Sequence, residues 1–428
     1  LIIFLSLILI PLGLAAVGGL EGMQSQVPAA MTDLFGSTSN AEYTWYFVAA
    51  FALLNLVVNA PKSFTLGGSA KDDRSARIGM VSGALAKRFM MLGWAFTGLL
   101  AIALYAGTIA DPTHIWGTMT REMLGVGAIG LMIVAIFSAN MDGAATGSLD
   151  ASAAFTKNIW QVLRPETPEL RQVMIGRFVV AVILLGTLFF TLTTFDNIVD
   201  VFKYALAIGA IVGPAFWMAF IWRRVNTRAV AVQMLLSVCI TLVAPNLVPA
   251  IDGLATHEGL VRTEVALDAP AATGPSPLFF DRIIVDEGIE RGDGLFKANL
   301  WLLDLAGLDL EDWSPAERGT AAFLFDAIFP FIMLILVSLV TRPNSEEVLR
   351  DFYARVNTPA HADPETDAQL VREKIDNPAL VEQNKLWPGS SLEFWRPTRF
   401  DIVGFFVCIA FVLGIIGLYL IVADLARV

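Results

Sequence analysis

Four polar side chains recur at every fourth position in one stretch of this chain. Ser138, Asp142, Thr146 and Asp150 come directly after the apolar run 127–137. A spacing of four residues places them on one slowly drifting face of a helix. Carboxylates at membrane depth are costly and normally face a cavity or a pathway. The pattern is therefore typical of the inner wall of a transporter.

The composition defines the broad class of protein. Of the 428 residues, 56% are hydrophobic and only 16% are charged, which is typical of a membrane protein. The net charge of −11 argues against a broadly basic nucleic-acid binder, so we expect no nucleic-acid partner. Cys239 and Cys408 both lie in apolar runs and indicate neither a disulfide nor a metal cluster. Metalloprotease, nucleophile-elbow and phosphate-loop motifs are absent from the sequence, and we expect no enzymatic activity.

Runs of roughly 20 apolar residues predict an all-α, polytopic membrane helix bundle with nine spanning helices. The predicted spans are 1–20, 43–60, 88–109, 122–150, 173–195, 198–222, 228–248, 320–341 and 400–424. The fourth is longer than a bilayer requires, so we expect it to project into the aqueous phase to about Trp160. The chain begins at Leu1 without a basic leader, which favours a spanning helix over a signal peptide and predicts an N-terminally incomplete sequence.

Lysine and arginine in the loops predict the orientation of the protein in the membrane. The 61–88 loop, the 155–177 connection and the 222–228 turn are rich in these residues, whereas the loops between them are poor. We therefore expect a multi-pass cell-membrane protein in which these three segments are cytoplasmic. Alternation then makes 342–399 cytoplasmic and 249–319 extracytoplasmic.

The two long polar segments carry no catalytic signature. We expect a short amphipathic helix near Leu295–Leu308 in the first and a helix over Ser345–Arg355 in the second. Otherwise the simplest interpretation of both is a solvated regulatory or packing loop.

Two stretches of the sequence resemble the sodium:solute symporter family. Residues 70–79, AKDDRSARIG, are similar to a family segment "AKxxxxARxG", although Thr65-Leu66 replaces the Gln-Arg pair that normally precedes it. The fourth predicted helix resembles the family's small-residue and serine-rich pattern, without gaps from Met141 to Trp160. With the helix count, the resemblance covers roughly residues 1–225.

The resemblance implies a leucine-transporter-type fold, in which two inverted five-helix repeats surround a site at the membrane midplane. Residues 1–222 would then be core helices 5–10, the C-terminal part of an inverted-repeat transporter. Helices within 223–248, 320–341 and 400–428 would be accessory. Core helices 1–4, including the broken helix that carries half of the binding site, would precede this sequence. The implied activity is symport of a small polar organic solute across the lipid bilayer by alternating access, with Na⁺ as the coupling ion.

The resemblance also implies a sodium site on the fourth predicted helix. Two family hydroxyls and a carbonyl three residues earlier coordinate sodium, and the matching positions here are Asp142, Gly143 and Ala139. One hydroxyl is thus replaced by a carboxylate and the other is lost. A different alignment anchor makes Ser138 the ligand. Asp142 has three open roles, which are sodium ligation, a proton or ion-pair role, and a structural hydrogen bond.

Asn55 and Asn59 are candidate substrate-binding residues, because the second predicted helix contributes to the substrate site in this family. They are spaced i, i+4, and hydrogen bonds between helices are the simpler interpretation. Leu53, Leu56 and Val57 stand where sugar-transporting members carry aromatic and polar residues, so sugar transport is not supported.

Two other functions stay open at this point. In a proton-coupled or uncoupled transporter, the carboxylate at position 142 would replace the sodium site. A transporter-derived solute sensor would bind solute without measurable flux.

Overall fold

The computed structural model describes residues 1–32, 44–67, 70–109, 112–194, 198–264, 276–286, 288–361 and 363–425. These residues are predominantly helical, and the part of the chain they cover has one two-stranded antiparallel sheet. The helices are α1 (Ile2–Val17), α2 (Gly19–Gln26), α3 (Trp45–Gly67), α4 (Asp73–Tyr105), α5 (Ile115–Met123), α6 (Val126–Phe155), α7 (Gln161–Leu163), α8 (Glu169–Thr194), α9 (Ile198–Ile221), α10 (Thr227–Val238), α11 (Ala244–Ala250), α12 (Asp252–Ala255), α13 (Ala298–Leu305), α14 (Pro315–Val340), α15 (Glu346–Val356), α16 (Pro364–Asp376), α17 (Ala379–Gln383) and α18 (Arg399–Leu425). The strands are β1 (Arg282–Asp286) and β2 (Ile289–Asp293). Single π-helical turns, Thr156–Trp160 and Cys239–Val243, join α6 to α7 and α10 to α11.

Among the described residues, six helices are long and apolar enough to cross a membrane, and the bent pair α1 and α2 is a seventh candidate. The six are α4, α6 through α7, α8, α10 through α11, α14 and α18. The apolar parts of α3 and α9, Trp45–Asn59 and Ala205–Ile221, coincide with two further predicted spans but are shorter. The structure therefore shows a helical, polytopic membrane protein. The full set of nine spans and the inverted repeat stay predictions.

The chain forms two compact units. The first contains residues 1–32, 87–203 and 415–428, and within it α1 packs against α5 and α6 while α6 packs against α8. Leu5 and Leu9 of α1 are buried in one of its apolar clusters. The candidate sodium ligands all belong to this unit.

The second unit contains residues 33–86 and 204–414. Within it α14 packs against both α3 and α10, so it is the central helix of this unit. The rings of Phe47 on α3 and Phe323 on α14 lie 5.1 Å apart between centroids. The candidate substrate residues on α3 belong to this unit.

Two adjacent glycines break the first predicted span. Gly18 and Gly19 have φ angles of 89° and 83°, in the left-handed region that disfavours side chains with a Cβ. Gly18 also ends α1 by donating its N–H to Leu14 O. The span predicted over 1–20 is therefore a pair of helices bent by 81°, because an apolar run does not reveal a left-handed step.

The 61–88 segment, predicted as a loop, is mainly helical. α3 continues to Gly67, and α4 begins at Asp73. The Asp72 carboxylate accepts a hydrogen bond of 2.7 Å from the Ser75 N–H, which supports the start of α4. A hydropathy pattern identifies only the apolar part of a helix, so the polar turns at the ends of α3 and α4 were predicted to be a loop. The predicted extension of the fourth span to about Trp160 is confirmed, since the helix runs on to Leu163.

The 249–319 segment is folded rather than simply solvated. Phe279 and Phe280 are fully buried in an apolar cluster, and α13 confirms the expected short helix. β1 and β2 were not predicted. Burial alone would raise the pKa of Glu264, but the guanidinium of Arg318 at 2.6 Å holds that pKa below its usual range.

The 342–399 segment is also packed, against the end of α9. Glu393 donates its N–H to Ile221 O at 2.8 Å and forms an ion pair with Arg223. Lys385, which is fully buried, lies 2.6 Å from the same carboxylate and 2.7 Å from Glu382. α15 confirms the predicted helix, whereas this buried charge cluster was not expected from the sequence.

We expect Gly18→Ala to destabilise the protein by about 1–2 kcal/mol, because a Cβ disfavours its left-handed backbone. No atom lies within 4 Å of that Cβ, so the effect is conformational rather than steric. Thermal unfolding of the detergent-solubilised full-length protein measures it. Gly127→Ala is the matched control, because Gly127 lies in α6 and also has open space around its Cβ. Equal Tm values for the two variants would contradict the assigned role of the bend.

Glu393→Gln is expected to loosen the 342–399 segment, because Lys385 would lose one of its two carboxylate partners inside the protein. Limited proteolysis of that segment, together with Tm, reports the effect. The control Asp351→Asn removes an exposed i, i+4 pair with Arg355 and should change little. Similar protease resistance of the two variants would show that the buried cluster does not hold the segment.

Candidate functional site

The candidate sodium site lies in a part of α6 that packs little against the rest of the described chain. Residues 137–147 are all exposed, including Ser138, Asp142 and Thr146, and Asp150 is exposed as well. The buried positions of α6 are Met132, Ala135, Ser148 and Ser152, before and after this exposed stretch. Ala135 lies on the same helix face as Ser138 and Asp142, so that face is buried only toward the start of the helix.

Contacts with α8 fix the position of the C-terminal half of α6. Ser152 Oγ donates a hydrogen bond of 2.8 Å to Gly176 O. A Cβ on residue 176 would lie 3.2 Å from Ser152 Oγ, so the glycine at this position permits the close approach of the two helices. A π-turn, of the kind often found near functional sites, follows at Thr156–Trp160.

Ser138, Ala139, Asp142 and Gly143 all lie on the exposed side of α6. Among the residues that the structure describes, Asp142 makes no ion pair or hydrogen bond, so the ion-pair alternative has no partner there. A carboxylate at membrane depth does not face lipid, so this surface requires protein or water against it. Its role in sodium binding stays a prediction.

Asn55 and Asn59 hydrogen-bond to each other along α3. Asn59 Nδ2 donates to Asn55 O at 2.7 Å and to Asn55 Oδ1 at 2.6 Å. These bonds lie within one helix, whereas the simpler sequence interpretation placed them between helices. Asn55 is partly buried and Asn59 is exposed, on the side of α3 away from the buried Leu54 and Val58. Substrate contact by this pair stays a prediction.

Asp326 of α14 is a carboxylate inside a predicted span that no sequence pattern singles out. It is the only Asp, Glu, Lys or Arg between Arg318 and Arg342. The signal was present as a lone carboxylate in an apolar run. A single carboxylate forms no repeating pattern in the sequence, and only the fold shows which residues surround Asp326.

Comparison with known proteins identifies the family. The sequence profile of the sodium:solute symporter family matches residues 1–236, which is more than half of the chain. This agrees with the two resembling stretches, both of which lie inside the matched region.

Individual relatives match shorter parts of the chain. Sodium/glucose cotransporter 4 of Danio rerio is 29% identical over 181 residues, covering 37% of this chain and 28% of that protein. The osmoregulated proline transporter OpuE of Bacillus subtilis is 26% identical over 158 residues, covering 36% of this chain and 32% of that protein. Sodium/myo-inositol cotransporter 2 of Mus musculus is 28% identical over 130 residues, covering 29% of this chain and 19% of that protein.

The chain therefore spans less than a third of the length of these relatives. All three relatives are solute transporters by name, and two of them are sodium cotransporters. The chain belongs to the sodium:solute symporter family.

Proposed function

We propose that the protein carries out sodium-coupled symport of a small polar organic solute by alternating access, with Asp142 at the sodium site. Membership of the family supports sodium as the coupling ion. The relatives are described as transporters of glucose, myo-inositol or proline, which are all small polar organic solutes.

The observation that carries this proposal is an exposed carboxylate on a membrane-spanning helix, without an ion pair or hydrogen bond to any residue in the described part of the chain. Asp142 stands where the family places a sodium-coordinating hydroxyl, and an anionic oxygen is a hard ligand suited to Na⁺. Ala139 lies one turn before Asp142 and Gly143 directly follows it, and these two would offer backbone carbonyls, while Ser138 would offer a hydroxyl. Sodium bound here would neutralise a charge that the bilayer otherwise disfavours.

Proton coupling is the second candidate, and the same carboxylate favours it. Carboxylates inside membrane-spanning helices serve in proton relays of pumps and transporters, whereas hydroxyls do not carry a charge there. In that case protonation, instead of sodium binding, would neutralise the helix face.

Contacts within the second unit support the proposed orientation in the cell membrane. Arg77 in the 61–88 segment pairs with Asp401 at 2.6 Å, directly after the 342–399 segment. The 222–228 turn contacts 342–399 as well, so three segments proposed as cytoplasmic lie together.

The other end of α14 supports the opposite location of 249–319. Arg318, at the start of α14, pairs with Glu264 of that segment. At the far end of the same helix, Arg224 donates to Leu339 O at 3.0 Å and Asn226 to Thr341 Oγ1 at 2.8 Å. A membrane-spanning helix thus separates 249–319, proposed as extracytoplasmic, from the 222–228 turn.

The proposal predicts that Asp142→Asn weakens sodium coupling in the full-length protein. We expect the sodium concentration for half-maximal solute uptake to rise about tenfold or more, a loss of ~1.4 kcal/mol of binding. Uptake into proteoliposomes with and without a sodium gradient measures this. Asp312→Asn, the same change at an exposed position of 249–319, should behave like the unmodified protein.

Proton coupling would be the correct interpretation if uptake is independent of sodium, is driven by a pH gradient and is lost in the Asp142→Asn variant. Solute binding without flux in either gradient would identify a sensor instead. Normal sodium-driven uptake by the Asp142→Asn variant would remove Asp142 from the ion site.

We propose separately that Asn55 and Asn59 contact the solute. Asn55→Ala should raise the KM for uptake several-fold and leave the sodium dependence unchanged, because it removes an amide without touching the ion site. Asn246→Ala serves as a control, since Asn246 also bonds to a carbonyl four residues earlier in its own helix, Leu242 O at 2.7 Å. An equal KM in both variants would mean that the α3 amides are structural.

A further inference from the structure

Asp326 lies deep in α14, beyond the region that matches the family profile. It is eleven residues from Pro315, which corresponds to about 17 Å along a helix of roughly 39 Å. The carboxylate is therefore near the middle of a membrane-spanning helix, where an ionised side chain is strongly disfavoured. Its surroundings must account for its presence.

Asp326 borders a small cavity inside the second unit. The cavity has a volume of about 10 Å³, room for roughly one water-sized species. Its polar lining consists of Asp326 together with Ser237 and Thr241, and the other lining residues are alanine, isoleucine, phenylalanine and proline. Three oxygen-bearing side chains thus converge on an otherwise apolar space.

The partners of Asp326 do not balance its charge. Asn299 Nδ2 lies 3.3 and 3.4 Å from the two carboxylate oxygens, which is long for a hydrogen bond to an anion. No lysine, arginine or histidine of the described residues forms an ion pair with Asp326. The carboxylate therefore has one weak neutral donor and no cation.

Charged groups on the packed helices are remote or already paired. Arg318, two turns earlier on α14, pairs with Glu264, and Asp304 on α13 pairs with Arg262 at 2.9 Å. The apolar parts of α3 and α9 that the structure describes carry no charged residue. Between the start of α10 and the end of α11, Arg228 is the only charged residue, and it lies in the first turn of α10. None of these groups lines the cavity.

The hydroxyl of Ser237 is oriented by a buried amide. Gln233 Nε2 donates to Ser237 Oγ and to Ile211 O, each at 3.0 Å. Gln233 and Ser237 are both buried. Thr241 follows Ser237 by four residues within the π-turn Cys239–Val243, an irregular helix geometry that often occurs at functional sites. Ser237 and Thr241 therefore line the cavity from α10 and its π-turn, while Asp326 lines it from α14.

We propose that Asp326, Ser237 and Thr241 form a second site for a small monovalent cation, Na⁺ or a proton, outside the family core. A cation would neutralise the carboxylate, and the hydroxyls would supply further oxygen contacts, directly to Na⁺ or by hydrogen bonds to a protonated carboxyl. The cavity holds one such species. The site is independent of Asp142, which belongs to the other compact unit.

The test measures ion binding to the purified full-length protein in two arms. In the first, ²²Na⁺ binding is counted for the unmodified protein, Asp326→Asn and the control Asp312→Asn. In the second, protons released between about pH 5 and pH 8.5 are counted with an indicator dye for the same three proteins. Asp312 is exposed and lies outside the membrane-spanning helices, so its variant should match the unmodified protein in both arms.

A sodium site predicts one bound ²²Na⁺ fewer in Asp326→Asn, and a proton site predicts one released proton fewer. Thr241→Val keeps the carboxylate and removes one contact, so it should weaken the same binding several-fold even if Asp326→Asn does not fold. The proposal is overturned if neither variant differs from Asp312→Asn in either arm, because Asp326 would then only hydrogen-bond to Asn299. Repeating the sodium arm on Asp142→Asn separates the two sites, since this second site should persist there.

Discussion

A carboxylate inside a membrane-spanning helix must be neutralised, hydrated or enclosed by protein, and that constraint shapes both units of this protein. In the first unit it requires protein or water against the exposed side of α6, where Asp142 has no described partner. In the second unit the same requirement applies to Asp326, which borders a small and largely apolar cavity lined by α9, α10 with its π-turn, and α14. The surroundings of the two carboxylates differ, because Asp142 is exposed and Asp326 is partly buried among helices.

The second unit is organised around α14. A capping box between Ser314 and Glu317 begins this helix, and the buried Arg318 ties it to the 249–319 segment through Glu264. Apolar contacts with α3 and α10 fill its middle, and hydrogen bonds from Arg224 and Asn226 satisfy groups at its end. α14, which lies outside the region that matches the family profile, thus packs against α3 and α10, of which α3 lies wholly and α10 mostly inside that region.

The sequence predicts the apolar centres of the helices well, because hydropathy depends only on local composition. It predicts the α6 stripe for the same reason, since a spacing of four residues is local. The bend at Gly18 and Gly19 was missed because a left-handed step leaves no trace in hydropathy. The polar ends of α3 and α4 were missed because polar helical turns resemble loops.

Long-range pairing accounts for what else could not be predicted. Lys385 and Glu393 look like ordinary surface charges in the sequence, and only the return of the chain to the end of α9 buries them. Asp326 likewise looks like an isolated irregularity in an apolar helix. The residues around Asp326 belong to α9, α10 and α13. These helices are distant from Asp326 in the sequence, so no local pattern predicts the contacts.

The turn between α9 and α10 has a mechanical consequence. Within five residues, Arg223 binds the 342–399 segment, while Arg224 and Asn226 bind the end of α14. Because these contacts lie in one short turn, a displacement of the polar segment would act on α9, α10 and α14 together. A protein or modification that pulls on this segment would reach the membrane interior without entering it.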